Sequence, residues 1–183
     1  TTGDGNVAVG YSAGDALDVG SYNIAVGMNA LTADTKGSTS IAIGYGTLTA
    51  QNFTSATDAH NIAIGHGTGG AVTTGTFNTL IGGLAGDGAT TASYSTALGY
   101  GSLGGAMTGE GNVALGVNTL LVATSAHSNT AVGTSAMSSV TTGTNNVAVG
   151  RNALDANTTA SNNTAVGYDA LGANTTGSEN TAL

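Results

Sequence analysis

Asn146-Val147-Ala148-Val149-Gly150-Arg151-Asn152-Ala153-Leu154 is followed, 17 residues on, by Asn163-Thr164-Ala165-Val166-Gly167-Tyr168-Asp169-Ala170-Leu171. The heart of this stretch, Asn-x-Ala-x-Gly, begins at Asn6, Asn23, Ser40, Asn61, Asn78, Ser95, Asn112, Asn129, Asn146, Asn163 and Asn180. Every interval is 17 residues except one of 21, between Ser40 and Asn61. So short and regular a period means one small unit stacked on copies of itself. The chain therefore reads as all-β: a parallel β-solenoid, or β-roll, of 17-residue coils. Residues 1–183 form a single repeat array of about eleven coils, with a four-residue insertion within 45–60.

With the motif Asn as position 1, positions 1–5 predict a strand. Position 2 is Val, Ile or Thr and position 4 is always aliphatic, from Val9 to Leu183. The two share a face, which β-branched residues suit. Position 3, on the other face, is Ala in ten copies and Leu80 in the eleventh. A strand with one face in water alternates apolar with polar residues; this one alternates large apolar residues with Ala. The pattern predicts burial on both faces. One face fills the coil's interior, and the other meets something close enough to require Ala. A thin coil does not bury both alone, whereas association around an axis would.

Position 5 is glycine in all ten complete copies: Gly10, Gly27, Gly44, Gly65, Gly82, Gly99, Gly116, Gly133, Gly150 and Gly167. Glycine directly after a strand reads as a corner. Small residues at position 8 and Leu or Met at position 9, with Gly14, Gly69 and Gly86 as exceptions, predict a second, shorter strand returning over the first. Thr-Thr-Gly, or close to it, at positions 13–15 closes the coil as a turn. The motif residues Asn6, Asn23, Asn61, Asn78, Asn112, Asn129, Asn146 and Asn163 would stack as a column of side-chain amides bonded coil to coil, or each would form a local Asx-turn.

Composition excludes several functions. The net charge is −8 and Lys36 and Arg151 are the only permanent cations. Nucleic-acid binding needs a basic footprint that this chain lacks. No apolar run is long enough to span a membrane, so this segment predicts no membrane insertion. With no cysteine there are no disulfides or thiolate metal sites. The absence of proline suits unbroken strand ladders. A hydrophobic share of 40% with only 7% charged residues, the apolar ones at fixed phase, argues against disorder. The array starts and stops in mid-repeat without polar caps, which predicts a section of a longer rod.

Asn-Val-Ala-Val-Gly and Asn-Ile-Ala-Ile-Gly resemble the head repeats of trimeric autotransporter adhesins, whose signature is close to Asn-Ser-Val-Ala-Ile-Gly. Asn146–Leu154 and Asn163–Leu171 resemble repeats of phage and prophage tail fibres. The resemblance spans the chain through its repeat. It implies a left-handed parallel β-roll, three chains around one axis, and an extracellular fibre on a cell surface or virion tail that contacts a host. The adhesin heads have a shorter period, so a 17-residue coil needs a longer turn or return strand.

The candidate sites are few. Position 6 follows the corner glycine and points outward, which makes Tyr11, Tyr45, Tyr100 and Tyr168 candidate contacts for host-surface glycans. His60, His66 and His127 have no acidic cluster at ligand spacing, so the expectation is no metal. The acids have no fixed phase, unlike calcium-binding repeats. No cofactor motif and no nucleophile–base–orienter set appears, so no enzyme is expected. The partner expected is the chain itself, as a homotrimer or filament. The leading reading is a structural or adhesive fibre segment. The alternatives are a monomeric ice-binding solenoid, drawn from the threonines at positions 13 and 14, and a glycan-binding solenoid. The insertion, near Gln51-Asn52-Phe53-Thr54, is the one lengthened coil and so a place for a surface feature.

Overall fold

The computed structural model describes residues 2–183. Among them there is no helix. The strands are β1 (Val7–Val9), β2 (Ile24–Val26), β3 (Gly37–Ser38), β4 (Ile41–Ile43), β5 (Thr57–Asp58), β6 (Ile62–Ile64), β7 (Thr79–Ile81), β8 (Thr96–Leu98), β9 (Val113–Leu115), β10 (Thr130–Val132), β11 (Val147–Val149), β12 (Thr164–Val166) and β13 (Thr181–Ala182). Eleven of them, all except β3 and β5, form one parallel sheet in chain order. The register advances one repeat per strand, Ala131 pairing with Ala148, and the insertion leaves it intact, Ala42 pairing with Ala63. At about 4.8 Å per strand the array is a rod of about 50 Å.

The two strand faces are the reverse of the sequence expectation. Ala25, Ala42, Ala63, Ala97, Ala114, Ala131, Ala148 and Ala165 point into the coil and are fully buried. The large residues of positions 2 and 4 point out, and Val9 and Leu98 are 58% and 49% exposed. Ala is needed because the interior is thin. The motif Asn, the position-3 Ala, the small residue at position 8 and the Leu at position 9 already fill it.

The predicted return strand is also absent. Each complete coil holds one three-residue strand of the main sheet, with β3 and β5 adding a two-residue pair in the closing turns of the second and third coils, and positions 6–11 run as turns. The cause is a backbone rule that repeats in all ten complete coils: φ is positive at positions 5, 7, 9 and 17. Position 9 is the unexpected one, since buried Leu31, Leu103, Leu120 and Leu154 sit at φ of 51–57°. A non-glycine residue in the left-handed region costs on the order of 1–2 kcal/mol, which burial of a leucine side chain, about 1.5–3 kcal/mol, offsets. Position 5 leaves no such choice. Its φ is 124–138°, and a Cβ at Gly99 would lie 2.6 Å from the Gly116 carbonyl oxygen. Only glycine fits a corner stacked this closely.

The asparagine column is a coil-to-coil ladder. Asn129 Oδ1 accepts the backbone N–H of Asn146 at 2.9 Å, and its Nδ2 donates to the Gly143 carbonyl at 2.9 Å. The same pair of bonds recurs at Asn23, Asn78 and Asn146. Each amide thus ties its own coil's closing turn to the next coil's strand. Where Ser40 replaces Asn, Gln51 supplies the amide. It donates to Ser40 Oγ (3.1 Å) and to buried Asp34 (2.7 Å) and accepts from Asn61 Nδ2 (2.8 Å). No buried side-chain nitrogen or oxygen among the described residues lacks a partner.

One pair of sequence irregularities is a single packing event. Gly69 and Gly86 leave position 9 empty in two successive coils, and Leu80 replaces Ala between them. A Cβ at Gly86 would lie 2.8 Å from Leu80 Cδ2, and one at Gly69 3.1 Å from Leu80 Cδ1. Leu80 therefore fills the space of two missing leucines.

Asn129→Ala strands a buried N–H and a buried carbonyl and should lower unfolding stability by about 2–5 kcal/mol, whereas Asn129→Ser keeps an acceptor, as Ser95 does, and should lose markedly less. Urea titration of both variants checks this, and equal losses would count against the ladder.

Candidate functional site

The position-6 tyrosines do project from the rod. Tyr11 and Tyr168 are 77% and 73% exposed, and Tyr45 and Tyr100 are also exposed. The coil order separates them, with Met28, His66, Gly83 and Val117 in between, so no two of the four occupy neighbouring coils. Tyr45 stacks instead on His66, centroids 5.3 Å apart, and Tyr100 lies against Gly83. The four tyrosines are separate projections and do not make a continuous platform.

A continuous aromatic column exists one corner away, at position 17, where sequence reading did not look. His60 stacks on Phe77 (5.0 Å) and Phe77 on Tyr94 (5.2 Å, planes 6° apart). Three ring-bearing residues 17 apart were visible in the sequence. Their place in the closing turn disguised them. The column stops at Gly111, the next position 17. Beside Tyr94 the surface opens into a hollow of about 480 Å³, bounded also by Thr108, Gly109, Glu110, Gly111, His127 and Ser128.

Position 16 changes at the same place. In five coils a serine hydroxyl here accepts the backbone N–H one coil back, among them Ser93 Oγ from Thr76, Ser161 Oγ from Thr144 and Ser178 Oγ from Ser161, all at 3.0–3.1 Å; Ala59, Thr76 and Thr144 at this position make no such bond. Glu110 and His127 replace that hydroxyl in two successive coils.

The other candidates sit apart. His60, His66 and His127 stand at positions 17, 6 and 16, and no group of three His, Cys, Asp or Glu among the described residues could hold a metal ion. Asn52 N–H still bonds the Thr73 carbonyl, and Thr57 pairs with Gly37, so three of the four extra residues lie between Asn52 and Thr57 and the fourth between Asp58 and Asn61. Phe53 is 5% exposed and covers Gly37, and Lys36 Nζ donates to the Thr54 carbonyl at 3.1 Å. The insertion is pinned to the coil beneath it. The position-13 threonines turn their hydroxyls along the axis, Thr73 to Thr90 O and Thr141 to Thr158 O. Position 14 carries the outward hydroxyls, among them Thr74, Thr91, Thr142 and Thr159.

No protein-family model matches the chain, and no curated protein or solved structure matches it either.

Among the acids, Asp87 is shifted. Burial holds its carboxyl above the ordinary value, while the backbone N–H groups of Gly88 and Asp87 pull it down. The unfolded chain therefore ionises first as pH rises, and the fold carries a small penalty at neutral pH that is absent in acid. Asp87→Asn should raise the melting temperature at pH 7 by no more than about 2 °C and leave it unchanged below the ordinary carboxylate range. Thermal melts at the two pH values check this; a fall at pH 7 would contradict it.

Proposed function

We propose that this chain is a segment of an extracellular structural or adhesive fibre, a rigid homotrimeric rod that spaces or presents host-binding elements on a cell surface or virion tail. The observation that carries this reading is the outward face of the eleven-stranded sheet. It is a strip of Val, Ile, Leu and Thr about 50 Å long and about 10 Å wide, on the order of 500 Å². That equals the largest apolar patch of a typical monomer, concentrated on one straight, flat face. An exposed parallel sheet of this kind calls for a partner surface. A second copy of the chain offers one of the same length and the same axial repeat.

A closed ring of three brings all three strips to one axis, as the adhesin and tail-fibre resemblance implies, and leaves the position-6 side chains on the outside. Ice binding, the alternative, has only the position-14 hydroxyls to draw on, since those of position 13 bond within the rod. Thermal hysteresis is its test.

Light scattering with crosslinking should give a mass of three chains at micromolar concentration, and Leu115→Lys with Val132→Lys should dissociate it while leaving the β spectrum in place. A clean monomer for the unaltered chain overturns the association reading; a dimer overturns the trimer.

A further inference from the structure

We infer that the hollow beyond Tyr94 is a binding slot for one uncharged hexopyranose, with the sugar stacked on the Tyr94 ring in the place that the next aromatic of the column would occupy.

The slot follows from how the column ends. Parallel stacking on Phe77 occupies one face of Tyr94 and leaves the opposite face directed along the rod toward the next coil. Tyr94 is 60% exposed. In the next coil position 17 is Gly111, so no side chain covers that face. Side chains of this column lean toward the preceding coil, as the Tyr22 ring does over Gly5. Above Gly111 the leaning residue is Ser128, too short to close the gap. A Cβ at Gly111 would meet only Ser128 Oγ, at 3.9 Å. The result is an open hollow at the corner of the rod, floored by the Tyr94 ring, where one aromatic layer of the column is missing.

The chemistry around the slot matches a sugar. A pyranose has an apolar C–H face and a rim of hydroxyls. An aromatic face takes the first, and donors and acceptors at the edge take the second. Glu110, His127, Thr108 and Ser128 supply that edge. Glu110 and His127 stand at the position where five coils use a serine hydroxyl for coil-to-coil bonding, and neither side chain makes such a bond. Stacking therefore does not explain their presence here. A volume of about 480 Å³ lies within the range of small-molecule sites. Neither permanent cation, Lys36 nor Arg151, borders the hollow, and Glu110 does, so an acidic sugar would meet a carboxylate with no permanent cation to offset it.

The slot would give the adhesive fibre its contact, and its test is independent of assembly. Saturation-transfer NMR of the full chain with methyl β-D-galactoside, methyl β-D-glucoside and methyl α-D-mannoside reads the site, with sialyllactose as the acidic arm. Light scattering on the same samples reads the oligomer. At least one neutral glycoside should take up saturation on its C–H face. Tyr94→Ala should weaken binding by about tenfold or more. Gly111→Tyr should abolish it by completing the column, and it keeps the fold because Tyr94 and Phe77 already hold the same left-handed backbone position. Tyr168→Ala, at a distant corner, should change nothing. Transfer to none of the neutral glycosides, transfer to sialyllactose alone, or transfer that survives Gly111→Tyr in a folded protein would overturn the assignment.

Discussion

Coils of this protein approach to one strand spacing because nothing projects from the corner at position 5. The glycine column, from Gly10 to Gly167, lets each corner rest on the carbonyl of the next. A methyl there would push successive coils apart and take every axial bond with it. The ladder of strands, the asparagine amides and the position-13 threonines all depend on that spacing. This is one-dimensional stability: each coil is held by its two neighbours. It explains why so many deviations come in compensating sets, Leu80 with Gly69 and Gly86, and Gln51 with Ser40.

Close stacking also decides what faces where. The coil is too narrow for a second strand, so positively signed φ angles at positions 7, 9 and 17 fold the chain back in tight turns. The cavity so enclosed admits Ala from the strand and Leu from the turn, and little else. The larger strand residues are left outside. An apolar outer surface is thus a consequence of the coil's cross-section, and that surface is what the proposed association of chains would cover.

The repeat, the strand position and the corner glycines were legible in the sequence because period and phase specify them directly; for the motif Asn the sequence left a coil-to-coil column and a local Asx-turn both open, and the side-chain bonds select the column. Face assignment was not. Alternation tells that two faces differ, and residue size alone does not tell which one turns inward when both are apolar. The missing return strand was half legible. Position 7 is rich in Gly, Asn and Ser, which favour left-handed turns, but the leucines at position 9 pointed the other way because leucine seldom adopts that conformation. For the candidate surface, reading singled out tyrosines by exposure at position 6. It weighed His60 only as a metal ligand and passed over Phe77 and Tyr94, whose significance lies in consecutive stacking and in the gap at Gly111. Emptiness at a repeat position is visible only once neighbouring side chains are in place.

The most direct test of the inverted strand is thiol labelling of two single-cysteine variants, feasible because the chain has no cysteine of its own. Leu80 is buried in the coil and Ile81, its neighbour, faces out. In native buffer Cys in Leu80→Cys should react only as fast as the chain unfolds, and Cys in Ile81→Cys should react faster, whether or not chains associate. The opposite order, with position 80 reacting first, would contradict the account.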